Sequence, residues 1–159
     1  MELNTKETLD FIKKAHKGQF YGNKPYWTHP KDVADRGKKT FGSKFSEDAI
    51  NAALLHDVVE DTVYSVEDLK DMGYNKAVYD AVALLTKEKG LPYEKNIQRI
   101  INSGNKIAMM VKYCDNYVNF HGDKSDWDET KRVKSQEKYA KSLNTLGKKL
   151  GVRADFSPF

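Results

Sequence analysis

Ten consecutive residues, Ala52-Ala53-Leu54-Leu55-His56-Asp57-Val58-Val59-Glu60-Asp61, restrict this chain more than any other stretch. The first half is small and apolar with no turn former, which reads as a buried helix. The second half loads the same helix with ionisable groups. At 100° per residue, His56, Asp57, Glu60 and Asp61 fall on one arc of roughly 140°. Asp57 and Glu60 are three apart and Asp57 and Asp61 four apart, so three carboxylates crowd one turn. Like charges at that spacing cost about 0.2–0.5 kcal/mol per pair in water and more when desolvated. No Lys or Arg lies within four residues of the cluster. Either this face is solvated, or a cation from elsewhere neutralises it. A divalent metal held partly by His56 and Asp57 is the economical candidate.

At 159 residues the chain is long enough for one domain with a real core. The net charge of +4 is modest but unevenly spread: Lys131 to Arg153 holds eight Lys or Arg against the single acid Glu137. Such a segment either forms a solvated helix face or meets phosphates. The lone Cys114 excludes a disulfide framework and a Cys-rich zinc site. No apolar run approaches the roughly 20 residues of a membrane span, and the N-terminus lacks the apolar core of a signal peptide. The expectation is a cytoplasmic protein with no membrane partner and no nucleic-acid polymer as partner.

In chain order, Thr5 can cap a helix carrying Leu9, Phe11, Ile12 and Ala15 as far as His16, with Gly18 ending it. His16 reads as a structural histidine. The segment from Gly18 to Pro30 is dense in Gly, aromatics and polar groups, the composition of a pocket-lining loop. Pro30 suits a first helical turn, which sets His29 at the helix start and able to point across at another helix. A short helix is expected over Lys31–Lys39. Ser46 then caps the central helix, predicted to run to about Asp61. Further helices are expected from Ser65 to near Gly73, over Lys76–Leu85, and from Leu91-Pro92-Tyr93 to Ser103-Gly104. Asn105 caps Lys106–Phe120, whose apolar stripe is Ile107, Val111, Cys114 and Val118. Beside it, Asp115 and Asn119 are four apart, and Lys112 precedes Asp115 by three, the spacing of an ordinary ion pair. His121 falls in a polar loop and reads as exposed. A basic helix follows from about Glu129 to Leu150, with Tyr139, Leu143, Leu146 and Leu150 facing inward. With no convincing strand alternation, the fold class is all-α, a single helical bundle of about eight helices.

His29, the His56-Asp57 pair and the distant Asp115 make a two-His, two-Asp set. Mixed imidazole and carboxylate ligation suits Mn²⁺, Fe²⁺ or Zn²⁺ with open positions for water. Glu60 and Asp61 then sit where they could take a proton from such a water.

The order His, His-Asp, Asp resembles the HD superfamily of metal-dependent phosphohydrolases. Ala15-His16-x-Gly18-Gln19, Pro25-Tyr26-x-x-His29-Pro30 and Ala52 through Thr62 are similar to the hydrolase half of RelA/SpoT-type stringent-response enzymes and to the small alarmone hydrolases. Leu84-Leu85-Thr86-Lys87 and Val111-Lys112-x-x-Asp115-x-x-x-Asn119 continue the likeness, which covers about residues 9–120 within an HD domain spanning 1–159. The resemblance implies His29, His56, Asp57 and Asp115 on a Mn²⁺, with Glu60 and Asp61 activating water. It further implies a nucleotide contact from Asn119, and Tyr21, Lys24, Tyr26 and Lys112 are further candidates for binding the substrate. The implied reaction removes pyrophosphate from the 3′ position of (p)ppGpp to give GDP or GTP. Alternatives are a phosphatase of another nucleotide, or a non-catalytic nucleotide-binding regulator. Two departures stand out. Phe20 and Tyr21 take the place of a base-packing cation, so Tyr21 is expected to stack on a base without reading its edge. Val118 stands where the family often has His.

Overall fold

The protein is described here by a computed structural model that covers residues 4–153. Its elements are α1 (Thr5–Ala15), β1 (Phe20–Tyr21), β2 (Lys24–Pro25), α2 (Thr28–Phe41), α3 (Glu47–Leu55), α4 (Val58–Asp61), α5 (Val66–Met72), α6 (Lys76–Leu85), α7 (Tyr93–Asn102), α8 (Lys106–His121) and α9 (Glu129–Leu150). The mostly helical class is as expected. The two short strands are not: Tyr21 pairs with Lys24 and Phe20 with Pro25 around a Gly22-Asn23 loop, which Gly22 permits with φ +62°. A pairing of two residues a side has no room for an alternation that a sequence could display.

Side chains start the helices largely where the sequence places them. Ser46 Oγ accepts from Ala49 N–H, Asn105 Oδ1 from Ala108 N–H, and Ser65 and Asp68 form a reciprocal capping box. The cap of α1 lies one residue earlier than expected, on Asn4, whose Oδ1 accepts from Glu7 N–H at 2.8 Å. Asn75 begins α6 without capping it; its amide donates instead to Asp48 at 2.8 Å, tying α6 to the start of α3. Helix α2 begins three residues before the expected Lys31, so His29 and Pro30 are in its first turn, and both are buried.

Helix α3 is the axis of the bundle, packed against α1, α2, α6 and α8, while α8 also packs against α2, α6 and α9. The run Asn51–Leu55 is buried on every side, which its alanine pair and its leucine pair allow. Close approach is needed elsewhere too: a Cβ on Gly37 of α2 would lie 2.3 Å from the ring of buried Phe45. Leu143 and Leu146 of α9 are fully buried, each worth about 1.5–3 kcal/mol, whereas Tyr139 and Leu150 are half-buried. His121, expected to be exposed, is half-buried with its ring 4.3 Å from that of Tyr117.

The central helix does not run unbroken to Asp61. It leaves α-geometry at His56-Asp57, where Asp57 has φ −105° and ψ 0°, and resumes as α4. His56 explains the break. Its Nδ1–H donates to the Ala53 carbonyl at 2.6 Å, and its backbone N–H turns to the same oxygen at 3.4 Å. In a continuous helix that carbonyl would receive Asp57 N–H, so a side-chain donor has displaced a backbone one. Among the described residues, no helix is long and apolar enough to cross a membrane.

Candidate metal centre and catalytic cavity

The break in the central helix builds the site. Because Nδ1 of His56 carries the proton given to Ala53, Nε2 of the neutral ring is a bare lone pair. That atom lies 3.0 Å from Asp57 Oδ2 and 3.6 Å from Asp115 Oδ1, is buried, and makes no hydrogen bond. His29, from the first turn of α2, brings its Nε2 to 3.0 Å from Asp115 Oδ1 and 4.0 Å from Asp57 Oδ2. Three elements thus aim four donor atoms at one point: α2, the α3–α4 break, and the middle of α8.

Donors about 2.1 Å from a common cation stand about 3.0–3.4 Å from one another. Most of the spacings here fall in or close to that range. Lone pairs facing carboxylate oxygens repel unless something positive lies between them, so the orphaned His56 Nε2 fits a cation better than it fits its neighbours alone. His29, His56 and Asp57 therefore form a His/Asp site suited to a divalent metal, with Asp115 facing the same point.

Without a cation, the same surroundings favour a proton in its place on His56. Burial alone lowers the His56 imidazole, but the carboxylates of Asp57 and Asp115 outweigh it and hold the ring well above its ordinary value. Burial raises Asp57, and His56 overrides that to leave it below the usual carboxylate range. Asp115 is driven well below that range because Lys112, His29 and His56 outweigh its burial.

Glu60 and Asp61 are exposed at the rim of the cavity and close to Asp57. Partial burial, with Asp57 beside them, raises both carboxyls above their ordinary values. The Glu60 side chain is not loose: Oε1 accepts the backbone N–H of Lys87 at 2.9 Å.

The residues expected to contact substrate have a second occupation. Tyr26 OH donates to Asp57 Oδ2 at 2.6 Å. Lys112 Nζ pairs with Asp115 Oδ2 at 3.2 Å, as its spacing indicated. Asn119 donates to Asp115 Oδ1 at 3.1 Å and accepts from Tyr21 OH at 2.7 Å. The Tyr21 ring lies flat on His29, centroids 4.4 Å apart and planes 12° apart. One face of the aromatic expected to meet a base is thus spent on His29. Lys24 is apart from this group: it lines the adjoining cavity with Asp32, Arg36 and Asp123 and not the one holding the His/Asp cluster.

His16 is structural, and it acts on the site. Its Nδ1 bonds Gln19 Oε1 at 2.9 Å, Gln19 Nε2 donates to the Asp61 carbonyl at 2.8 Å, and its ring packs 4.8 Å from Tyr26. The cavity, about 320 Å³, is completed by residues that sequence reasoning did not single out, among them Tyr93, Asn96 and Arg99 of α7 and Lys138 of α9. Of these, only Lys138 had a sequence signal, the basic character of α9.

No protein-family model matches the chain. It is 44% identical over 78 residues to a guanosine-3′,5′-bis(diphosphate) 3′-pyrophosphohydrolase of Haemophilus influenzae, a match covering 47% of this chain and 11% of that protein. It is 33% identical over 119 residues to the guanosine-3′,5′-bis(diphosphate) 3′-pyrophosphohydrolase MESH1 of Danio rerio, covering 71% of this chain and 65% of the relative. The chain thus spans less than two thirds of either curated relative. A solved structure of a metazoan ortholog of SpoT superposes with a TM-score of 0.67 over 94% of this chain and 96% of that one, at 23% identity, and so shares its fold. By these matches the chain is homologous over the matched residues to two guanosine-3′,5′-bis(diphosphate) 3′-pyrophosphohydrolases and shares the helical fold of the metazoan SpoT ortholog.

Proposed function

We propose that this protein is a cytoplasmic, Mn²⁺-dependent hydrolase that removes pyrophosphate from the 3′ position of guanosine 3′,5′-bis(diphosphate), giving GDP, and from the pentaphosphate, giving GTP. The observation that carries the reading is the convergence of His29, His56, Asp57 and Asp115 beneath a cavity rimmed by Glu60 and Asp61. The two histidines and two aspartates would hold the cation; a mixed nitrogen and oxygen set with few donors leaves positions for water and substrate. A divalent ion bound there supplies a polarised phosphoryl oxygen and an acidified water.

The chain's own groups supply the rest. Glu60 and Asp61, more basic than ordinary carboxylates, take the proton from the water that attacks phosphorus. The Lys87 N–H keeps the Glu60 carboxylate in place for that transfer. Lys112 uses one of three N–H donors on Asp115, leaving two for phosphate oxygens, and Asn119 retains one amide proton for the substrate. Tyr21 and Tyr26 close the wall beside His29 and Asp57.

The test is a product screen. Purified protein with Mn²⁺ is incubated with the 3′-pyrophosphorylated guanosine nucleotides, and phosphorus NMR follows the products. GDP or GTP with inorganic pyrophosphate is expected. Binding without turnover would instead make the protein a nucleotide-binding regulator, and turnover confined to other nucleotides would reassign the substrate.

A further inference from the structure

Past the end of α6 the chain runs exposed through Lys87, Glu88, Lys89 and Gly90 before α7 begins at Tyr93. Such a connection has little packing to fix it, yet it supplies the N–H that holds Glu60. What fixes it comes from α7. Buried Asn96 accepts the Glu88 N–H on Oδ1 at 3.4 Å and donates through Nδ2 to the Leu91 carbonyl at 3.1 Å. Three residues on, Arg99 Nη2 donates to the Leu84 carbonyl at 2.8 Å and to the Thr86 carbonyl at 2.9 Å. The last carbonyls of a helix lack intrahelical partners and carry the negative end of its dipole, so a guanidinium is at home there.

The bond to Thr86 does more than cap α6. Thr86 C=O and Lys87 N–H are two halves of one peptide unit, and in a planar trans peptide they point in opposite directions. Arg99 therefore grips one edge of this plane, and Glu60 Oε1 accepts from the other at 2.9 Å. A cation on the carbonyl restrains rotation of the plane and polarises its N–H into a better donor. Glu60 needs such a hold, because it stands exposed on the four-residue α4. Burial, with Asp57 and Asp61, raises its carboxyl; of the contacts that oppose this rise, the Lys87 N–H is the largest, ahead of Lys112. No strong ion pair draws Arg99 away. Among the described residues, the carboxylate within ion-pair distance is that of Glu88, 3.9 Å from Nε and largely exposed.

We propose that Arg99 is a positioning residue for the hydrolysis: through the Thr86–Lys87 peptide it holds the Glu60 carboxylate where the attacking water gives up its proton. This rests on the hydrolase reading above.

Arg99→Met keeps the side-chain stem and removes the donors; Arg99→Lys keeps a charge on one nitrogen. On guanosine 3′,5′-bis(diphosphate), Arg99→Met is expected to lower kcat by about 10–100-fold, part of what a positioned proton acceptor supplies. KM and Mn²⁺ affinity should each stay within about threefold, and Arg99→Lys should show a smaller loss of kcat. The deciding measurement repeats both substitutions in Glu60→Gln protein. With the proton acceptor gone there is nothing left to position, so each should cost less than about twofold there. Equal costs in the two backgrounds would overturn the proposal and leave Arg99 a cap of α6, as would a loss carried by KM. If Arg99→Met does not fold, Arg99→Lys gives the same comparison. Amide hydrogen exchange is an arm independent of turnover. The Lys87 N–H should exchange about tenfold faster in Arg99→Met, and faster than wild type in Arg99→Lys. Unchanged exchange at Lys87 overturns the proposal. If wild type releases no pyrophosphate, the hydrolase reading fails, while the exchange arm still decides whether Arg99 fixes the peptide that holds Glu60.

Discussion

At the scale of residues, the site depends on side chains that hold other side chains. Asp57 receives Tyr26 OH, and Asp115 receives Asn119, which receives Tyr21 OH. Hydrogen bonds to ligating groups typically change metal affinity by about 10–100-fold. Tyr26→Phe is therefore expected to weaken divalent-cation binding by that factor without loss of fold, as calorimetric titration would show; unchanged affinity would make the 2.6 Å contact incidental. Glu60→Gln separates proton transfer from ligation. It should leave the metal bound and lower turnover by about 10²–10⁴. Activity within a few-fold of wild type would move the proton to Asp61 or to bulk water. The four candidate ligands, whose side chains the structure brings together, could be picked out because His-Asp adjacency and the Asp115/Asn119 spacing are local patterns. Tyr26–Asp57 and Tyr21–Asn119 could not, since those contacts join residues 31 and 98 positions apart and leave no local signature.

At the scale of elements, the break between α3 and α4 is the informative feature. The periodicity of Ala52–Asp61 fits one continuous helix, and only the His56 Nδ1–Ala53 bond shows why the helix opens there. The charges gathered at the break give it a pH dependence. In cation-free protein the raised His56 value means the folded state binds that proton more tightly. Its contribution is complete below the unfolded value of about 6.5 and is lost as pH rises through the higher folded value. Asp57 and Asp115, lowered on folding, contribute above about pH 4 and lose it as pH falls through their folded values. Thermal stability of chelated protein should therefore be greatest between about pH 4 and 6.5 and decline above. With a divalent cation competing for His56 Nε2, the melting temperature should instead climb through neutral pH. Parallel profiles with and without cation would contradict this. Close packing around α2 is testable as well: Gly37→Ala forces a Cβ into the buried Phe45 ring and should cost about 1–3 kcal/mol in a urea melt.

At the scale of the whole molecule, the bundle brings α2, α3–α4 and α8 together at one end of a cavity and α7 and α9 together at the other. The helical class and most helix starts could be read from apolar spacing and capping residues, because those are local physics. The walls of the cavity could not, since Arg99 and Lys138 acquire their positions only through packing of α7 and α9. The claim that unites these scales is that the His/Asp cluster holds a cation on which hydrolysis depends. Its most direct test is to strip the protein with a chelator, return Mn²⁺ stepwise, and follow release of pyrophosphate from guanosine 3′,5′-bis(diphosphate) by wild type and Asp57→Ala. Wild type should regain full activity at about one equivalent per chain, with Asp57→Ala binding no metal and releasing no product. Undiminished activity in the stripped wild type, or full metal occupancy in Asp57→Ala, would contradict it.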